Sequence, residues 1–367
     1  MTIDQHFIDT ALTRVSGQIA VLGSVELCDF GQFDRYLALS ALQKAIRRDE
    51  FTLAWAASSY LLENFPAHFW KRLVIIAFED IGVADVELCL ATILICSEEN
   101  KRVELGGCLK VAFALVGELC SAKKDRCTDD LFDVVSRDPQ MIEYRADLAD
   151  QYAEGTDTKI ELVGGGVCEL ASRMAVLAGY ADEVPGGNLR KRVWASTIHA
   201  ISSGITDPRV WGVAELGLQR TGSILAPMLA AVGCYASSSP STVDDHFPDS
   251  EEVKGIPVWV AGMHTRVGLD GFRRYIRSSK SMSKLLSTAS TGEVSKSKIV
   301  GALVFRLDCG QLRHRLDWSL ADELKSRATE LGWGLSDEAV PEALNILRSE
   351  YELLNRYRLE ALLDYLP

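Results

Sequence analysis

The sequence predicts a mainly α protein, a bundle or array of helices with a small α+β part toward its C-terminus. Three observations lead there. Apolar residues recur at three- and four-residue steps through most of the first half of the chain. Short polar, Pro- or Gly-bearing breaks separate these runs. No segment sustains the alternation of apolar and polar residues that a half-buried strand requires.

The first clear helix runs from Phe33 to Arg48, with Tyr36, Leu37, Leu39, Ala41, Leu42 and Ile46 at helical spacing. Lys44, Arg47 and Arg48 near its end suit the negative pole of the helix dipole. Asp49 and Glu50 open a second helix through Trp55, Ala56 and Tyr60 to Leu62. Asn64-Phe65-Pro66 breaks it, and Pro66 is tolerated in the first turn of a third helix. That helix is expected to reach about Asp80 and to stop at Gly82. Asp85 caps a fourth, bearing Leu88, Leu90, Ile93 and Ile95, and a fifth runs from about Arg102 to Ala122.

The middle of the chain is less regular. Lys123 to Asp130 reads as a polar linker. Helices are expected at Gln140 to Tyr152, Ile160 to Tyr180, Leu189 to Ile201 and Ile224 to Tyr235, with Gly164-Gly165-Gly166 weakening the second. Ala236 to Asp249 is rich in Ser, Pro and Asp and marks a boundary. Beyond it, Ile256 to Val260 is a short β-like run and Thr265 to Ile276 a basic helix. Ser278 to Lys298 reads as mobile, and Lys298 to Leu307 as strand or buried helix. A single amphipathic helix is expected from about Val340 to Leu366. Its Leu344, Leu347, Tyr351, Leu354, Tyr357 and Ala361 form a candidate oligomer seam. The linear partition is then an N-terminal extension over 1–35, a helical domain over 36–235, a linker over 236–254 and a basic C-terminal part over 255–367.

Composition narrows the function classes. At 47% hydrophobic and 25% charged residues, the chain can build a sizeable core. A formal net charge of -12 means that nucleic acid would be held only by a local basic patch. The first twenty residues lack a basic segment followed by an apolar block, and the apolar runs are shorter than the roughly 20 residues a spanning helix needs. The nine cysteines form no CxxC and scatter through apolar runs, which suits reduced core thiols in a cytoplasmic setting. No membrane association, metal or cofactor is expected. No G-x-x-x-x-G-K-[ST], HExxH or G-x-S-x-G occurs, so no catalytic residue is assigned.

One stretch carries a family likeness. ALQKAIRR (Ala41 to Arg48), the aromatic helix around Trp55, and WKRLVIIAFEDIGVAD (Trp70 to Asp85) follow one another in order. Together they resemble the helical region C-terminal to the ATPase module in the MgsA, or replication-associated recombination protein A, family of AAA+ ATPases. The resemblance covers about residues 36–85 and is specific in order and spacing. It implies a core like the collar of a clamp loader, the region that holds subunits together in an oligomer, in a setting of DNA replication or repair. The family's ATPase module lies upstream of this block, whereas here 35 residues precede it and no phosphate-binding loop occurs. ATP hydrolysis therefore does not carry over.

Two groups of residues stand out as candidate sites. Glu79 and Asp80 lie at the C-terminal end of an apolar helix, where the macrodipole disfavours negative charge by roughly 0.3–1 kcal/mol each. They need cations, and Lys44, Arg47, Arg48 and Arg72 are the available ones. A structural ion-pair network or an interface is favoured over a catalytic or metal-binding pair. The second group is His264, Arg266, Arg273, Arg274, Arg277 and Lys280, a basic helix preceded by a turn in which Thr265 can act as N-cap. From Trp259 to Arg315 there are eleven basic residues against three acidic ones, a strong local asymmetry in an acidic chain. Phosphate contact, with His264 at the mouth of the helix, competes here with an ordinary solvated face. Arg190, Lys191 and Arg192 with Trp194 and His199 form a smaller basic-aromatic group that reads more simply as a helix start with a core tryptophan.

The favoured expectation is a non-enzymatic, homo-oligomeric accessory protein of DNA replication, repair or phage–host conflict. Its partner would be DNA or a DNA-processing protein, including an ATPase acting in trans. Two alternatives stand beside it. One is an enzyme acting on nucleic acid or a phosphorylated small molecule through His264, Arg266 and Asp270. The other is an acidic protein-only inhibitor that imitates nucleic acid.

Overall fold

The computed structural model describes residues 3–31, 33–153, 166–180, 207–236 and 241–365. The fold is mainly α with a small β component. Two compact units divide the chain, and both are discontinuous in sequence. Unit 1 comprises Met1–Gly23, Leu73–Thr242 and His314–Ala328. Unit 2 comprises Ser24–Arg72, Val243–Arg313 and Thr329–Pro367. One division thus falls inside the helix Pro66–Ile76, and the linear partition at residues 236–254 does not coincide with the units.

Unit 1 is organised by the helix Val86–Ser97, which is apolar all round and buried along its whole central length. Such a helix needs neighbours on every side. Gln5–Val21 and Pro208–Thr221 supply most of them, and Cys108–Ser121 packs on both it and Gln5–Val21. Asp85 starts the central helix, its Oδ1 accepting from the Leu88 amide at 3.0 Å. The helix expected from Arg102 to Ala122 is two, Glu99–Glu104 and Cys108–Ser121. The break lies at Gly106 and Gly107, whose φ values of 115° and 96° lie outside helical space. The stretch Lys123 to Asp130, expected as a polar linker, is exposed only at Lys123. Lys124, Asp125 and Arg126 are buried, and a helix begins at Cys127. Lys124 donates from Nζ to the Cys120 and Ala122 carbonyls at 2.6 and 2.9 Å, which satisfies carbonyls that the helix end leaves open.

Unit 2 is built on two helix groups. Arg35–Arg47 packs along Phe51–Asn64, and Arg266–Ser278 packs along Tyr351–Tyr365 and Lys296–Val304. The core of the second group includes Phe272, Tyr275, Leu286, Ile299, Leu347 and Leu354. The β-like run at Ile256 is a strand only at Ile256–Pro257, paired antiparallel with Glu252–Val253, and the chain then turns through Val258–Val260. Lys254 and Gly255, with φ of 50° and 77°, make the tight turn between the strands. The segment taken as mobile contains the helix Lys280–Ala289. Ser279 caps it through the Met282 amide, and Met282, Leu285 and Leu286 are buried at helical spacing among its polar residues. The C-terminal amphipathic pattern is two helices, Val340–Ser349 and Tyr351–Tyr365, interrupted at Glu350. Leu344, Leu347, Leu354 and Ala361 are buried within unit 2 itself, so that seam is core rather than an oligomer surface.

Among the described residues, no helix is long and apolar enough to cross a membrane. Gly164, Gly165 and the group at Arg190, Lys191, Arg192, Trp194 and His199 lie outside the described residues, as does the helix expected at Leu189 to Ile201.

Candidate functional site

Among the described residues, the two units bury charge of opposite sign. In unit 1, among the described residues, the buried charged side chains are Asp80, Asp125, Asp130, Asp138 and Glu215 against Arg102, Lys124 and Arg126. In unit 2, among the described residues, they are Lys44, Arg47, Arg48 and Arg358 against Asp308 alone. Buried cations are costly unless their donors are used. In unit 2 main-chain carbonyls take most of them.

Lys44 lies in the last turn of Arg35–Arg47 and donates from Nζ to the carbonyls of Trp259 and Val260, at 2.6 and 3.1 Å. Arg47 Nη1 reaches the Cys309 carbonyl at 3.0 Å, and Arg48 Nη2 the Asp308 carbonyl at 3.0 Å. The Arg48 guanidinium also stacks over Trp259 and Phe247, at 4.4 and 4.7 Å from the ring centroids. Arg72 donates to Gln43 Oε1 at 3.0 Å. Arg358 bonds Asp308 Oδ2 from Nη1 at 2.5 Å, Asn355 Oδ1 at 3.0 Å and, through Nε, the Ala261 carbonyl at 3.2 Å. Burial alone would raise the Asp308 pKa, but Arg358 and Lys44 hold it below the ordinary value. Burial lowers the pKa of Lys44.

Four elements therefore converge on this group: the end of Arg35–Arg47, the turn Val258–Val260, the π-helical turn Phe305–Cys309 and the helix Tyr351–Tyr365. The arrangement brings Lys44 and Arg47 toward His264, two residues expected in one candidate group and one in the other. His264 is exposed at the start of Arg266–Ser278. Its pKa falls to about 4, through desolvation and then Lys44, Arg72, Arg47 and Lys298. Desolvation is the larger cause, and the neighbouring cations act in the same direction. The imidazole is therefore neutral at pH 7 in a positive field.

Thr265 caps the helix as its type suggests, accepting from the Gly268 amide at 3.0 Å. Gly268 permits a close approach: a Cβ there would lie 2.1 Å from the Gly262 carbonyl oxygen. This contact fixes the turn that carries His264. Arg266, Arg273 and Arg277 recur at seven- and four-residue steps, so they share one face of the helix, and all three are exposed. Lys280 is exposed at the start of the next helix. Arg274 differs. It is paired with Asp270 and Asp364, at 2.7 Å each, and its charge is compensated locally.

The acidic pair sits elsewhere. Glu79 and Asp80 lie in unit 1, in the π-helical turn Ala77–Ile81. Asp80 is fully buried and its Oδ1 accepts from Arg126 Nη1 at 2.6 Å, while Asp129 also bonds Arg126. The cation found for Asp80 is thus Arg126, contributed by the stretch taken as a linker. Glu79 adds to the negative field that raises the Arg126 pKa. Gly82 closes the turn with φ +53°, and a Cβ there would lie 3.0 Å from the Asp125 carbonyl oxygen.

Asp308, Cys309 and Arg358 were not singled out from sequence, though a signal was present. Asp80-Ile81-Gly82 and Asp308-Cys309-Gly310 both end apolar helical runs, with Asp two residues before Gly. In both, the chain makes a π-helical turn, the Gly amide bonds back to the first residue of that turn, and the buried Asp meets a buried Arg. Among the described residues, no group of three His, Cys, Asp or Glu is placed to hold a metal ion. No family model, characterised protein or solved structure matches the chain.

Proposed function

We propose that the chain is a non-enzymatic accessory protein of DNA replication or repair that holds phosphate groups of DNA on unit 2. The observation that carries the reading is the exposed face of Arg266, Arg273 and Arg277, at whose start His264 stands in the positive field of Lys44, Arg47, Arg72 and Lys298. A phosphate arriving there meets this field, the amide end of a thirteen-residue helix and the arginine stripe. Arg266, Arg273 and Arg277 then track a backbone along one helix face, with Lys280 extending the line. The buried cations contribute potential rather than direct contacts, since their donors already serve main-chain carbonyls. The likeness of residues 36–85 to the collar region of the MgsA family supports a replication or repair setting. It also supports a homo-oligomer working with an ATPase in trans.

The test is mass measurement in solution with and without a short DNA duplex, followed by a salt titration of binding. Arg273→Glu with Arg277→Glu should weaken binding and reduce the slope of log affinity against log salt by about two, one for each lost phosphate contact. A monomer indifferent to DNA at low salt would overturn the reading. Binding of inorganic phosphate without DNA binding would favour a phosphorylated small molecule instead.

A further inference from the structure

Lys44 and Cys309 lie 265 positions apart in sequence and meet inside unit 2. Both are buried. The Lys44 amine donates to the Trp259 carbonyl at 2.6 Å, and the Cys309 thiol donates to the same oxygen at 3.4 Å. The amine's second acceptor is the Val260 carbonyl, at 3.1 Å. Two of the three ammonium directions are thus taken by carbonyls, and the thiol shares one of those two oxygens. Gly262 confines the pair from another side, because a Cβ there would stand 2.4 Å from Lys44 Nζ and 3.7 Å from Cys309 Sγ. Arg358 Nη2 lies 3.7 Å from the sulfur. Neither long side chain can turn away without abandoning these contacts.

We propose that Lys44 and Cys309 are a redox modification site, which closes to a covalent nitrogen–oxygen–sulfur bridge under peroxide. An amine and a thiol gathered on one carbonyl oxygen can accept one intervening oxygen with little movement of the backbone. Direct nitrogen–sulfur bonding would require a closer approach.

The steps balance with two molecules of peroxide. In the first, the O–O bond breaks, one oxygen bonds to sulfur, and water leaves, giving a sulfenic acid. In the second, the amine nitrogen bonds to that oxygen. The amine and the sulfenic acid each lose one hydrogen, and the second peroxide is reduced to two waters. Burial helps the second step by favouring the neutral, nucleophilic amine. The same burial slows access of large oxidants, so a small one such as hydrogen peroxide is the reagent to use. Four-electron reduction by two molecules of a dithiol, each oxidised to its disulfide, restores the amine and the thiol and releases water.

The experiment treats the full-length protein with hydrogen peroxide and measures its intact mass, then its proteolytic peptides. The expected product has gained one oxygen and lost two hydrogens, carries a cross-link between the Lys44 and Cys309 peptides, and reverts in dithiothreitol. Conversion should be abolished in Cys309→Ala and in Lys44→Met. Should either variant fold poorly, the wild-type peptide map decides alone. A second readout is the His264 titration. Closing the bridge removes the Lys44 ammonium, the foremost of the charges that depress the His264 pKa, so the imidazole should titrate higher in the bridged form. The proposal is overturned if Cys309 stays reduced, if it is oxidised without a link to Lys44, or if the linked species has lost hydrogens without gaining oxygen.

Discussion

Replacing Asp308 with asparagine should destabilise unit 2 severely while leaving its shape almost unchanged. Asp308 is fully buried and is the one buried carboxylate among the described residues of that unit, beside Lys44, Arg47, Arg48 and Arg358. Its Oδ2 accepts from Arg358 Nη1 at 2.5 Å and from the Tyr351 hydroxyl at 2.9 Å. Its Oδ1 is buried without a hydrogen-bond partner. An asparagine oxygen can occupy the Oδ2 position, but the amide then places a donor where no acceptor stands. Asp308→Asn thus removes the compensating charge and adds an unsatisfied buried group. Breaking a buried ion pair from one side costs about 3–5 kcal/mol, and the stray donor adds to the same deficit. Urea denaturation at pH 7 should show a loss in this range, with the midpoint lowered at constant slope. Arg358→Met alone should cost a similar amount. The double variant should cost much less than the sum, because the second change removes the charge that the first strands. The pH dependence has a definite sign. The Asp308 pKa is lowered in the folded state, so its contribution is present above the unfolded value near 3.8 and is lost as pH falls through the lower folded value. The deficit of the variant should therefore shrink in strong acid. A loss under about 1 kcal/mol at pH 7, typical of a surface pair, would refute the picture of a buried cationic group held by one carboxylate.

Other expectations follow from the same geometry. Asp80→Asn in unit 1 should cost about 3–5 kcal/mol in urea denaturation by stranding Arg126; a variant as stable as the parent would contradict the pairing. Gly268→Ala should destabilise the chain by about 1–3 kcal/mol, since its Cβ would collide with the Gly262 carbonyl, and should shift the amide resonances of His264 and Thr265. Thr265→Ala should cost roughly 1 kcal/mol through loss of the N-cap, measured by thermal unfolding. Arg274→Gln should weaken DNA binding less than Arg277→Gln does, because Asp270 and Asp364 already compensate Arg274; equal losses by fluorescence anisotropy would argue against the arginine stripe.

The helices of the first half were legible because their apolar periodicity, caps and breakers all agreed. Asp85 and Thr265 act as caps where their side-chain chemistry suggests. Several failures come from burial decided by partners that a local reading of the sequence does not supply. Lys124, Asp125 and Arg126 look like solvent-facing linker residues in any local window. They are buried because Cys120 and Ala122 offer carbonyls, Trp318 donates to Asp125, and Asp80 lies within reach of Arg126. Composition concealed the helix Lys280–Ala289, where three buried apolar residues at helical spacing outweigh a run of serines and lysines. Within the candidate site, the basic helix and His264 were visible from charge and spacing. Asp308 and Arg358 were not, since a single acid and a single arginine in separate amphipathic segments carry no local mark. The repeated Asp-x-Gly at the ends of two apolar helices was the available clue. It gains meaning only once both chains of backbone are seen to make the same π-helical turn.

The most direct test of the central claim is the proton titration of His264, followed by NMR in protein labelled at its histidine rings, with and without a short DNA duplex. If unit 2 gathers a positive field at an exposed anion site, the free imidazole titrates near pH 4, and DNA raises that value by neutralising Lys44, Arg47, Arg72 and Lys298. A free-protein value near the ordinary 6.5, unmoved by DNA at low salt, would contradict the account.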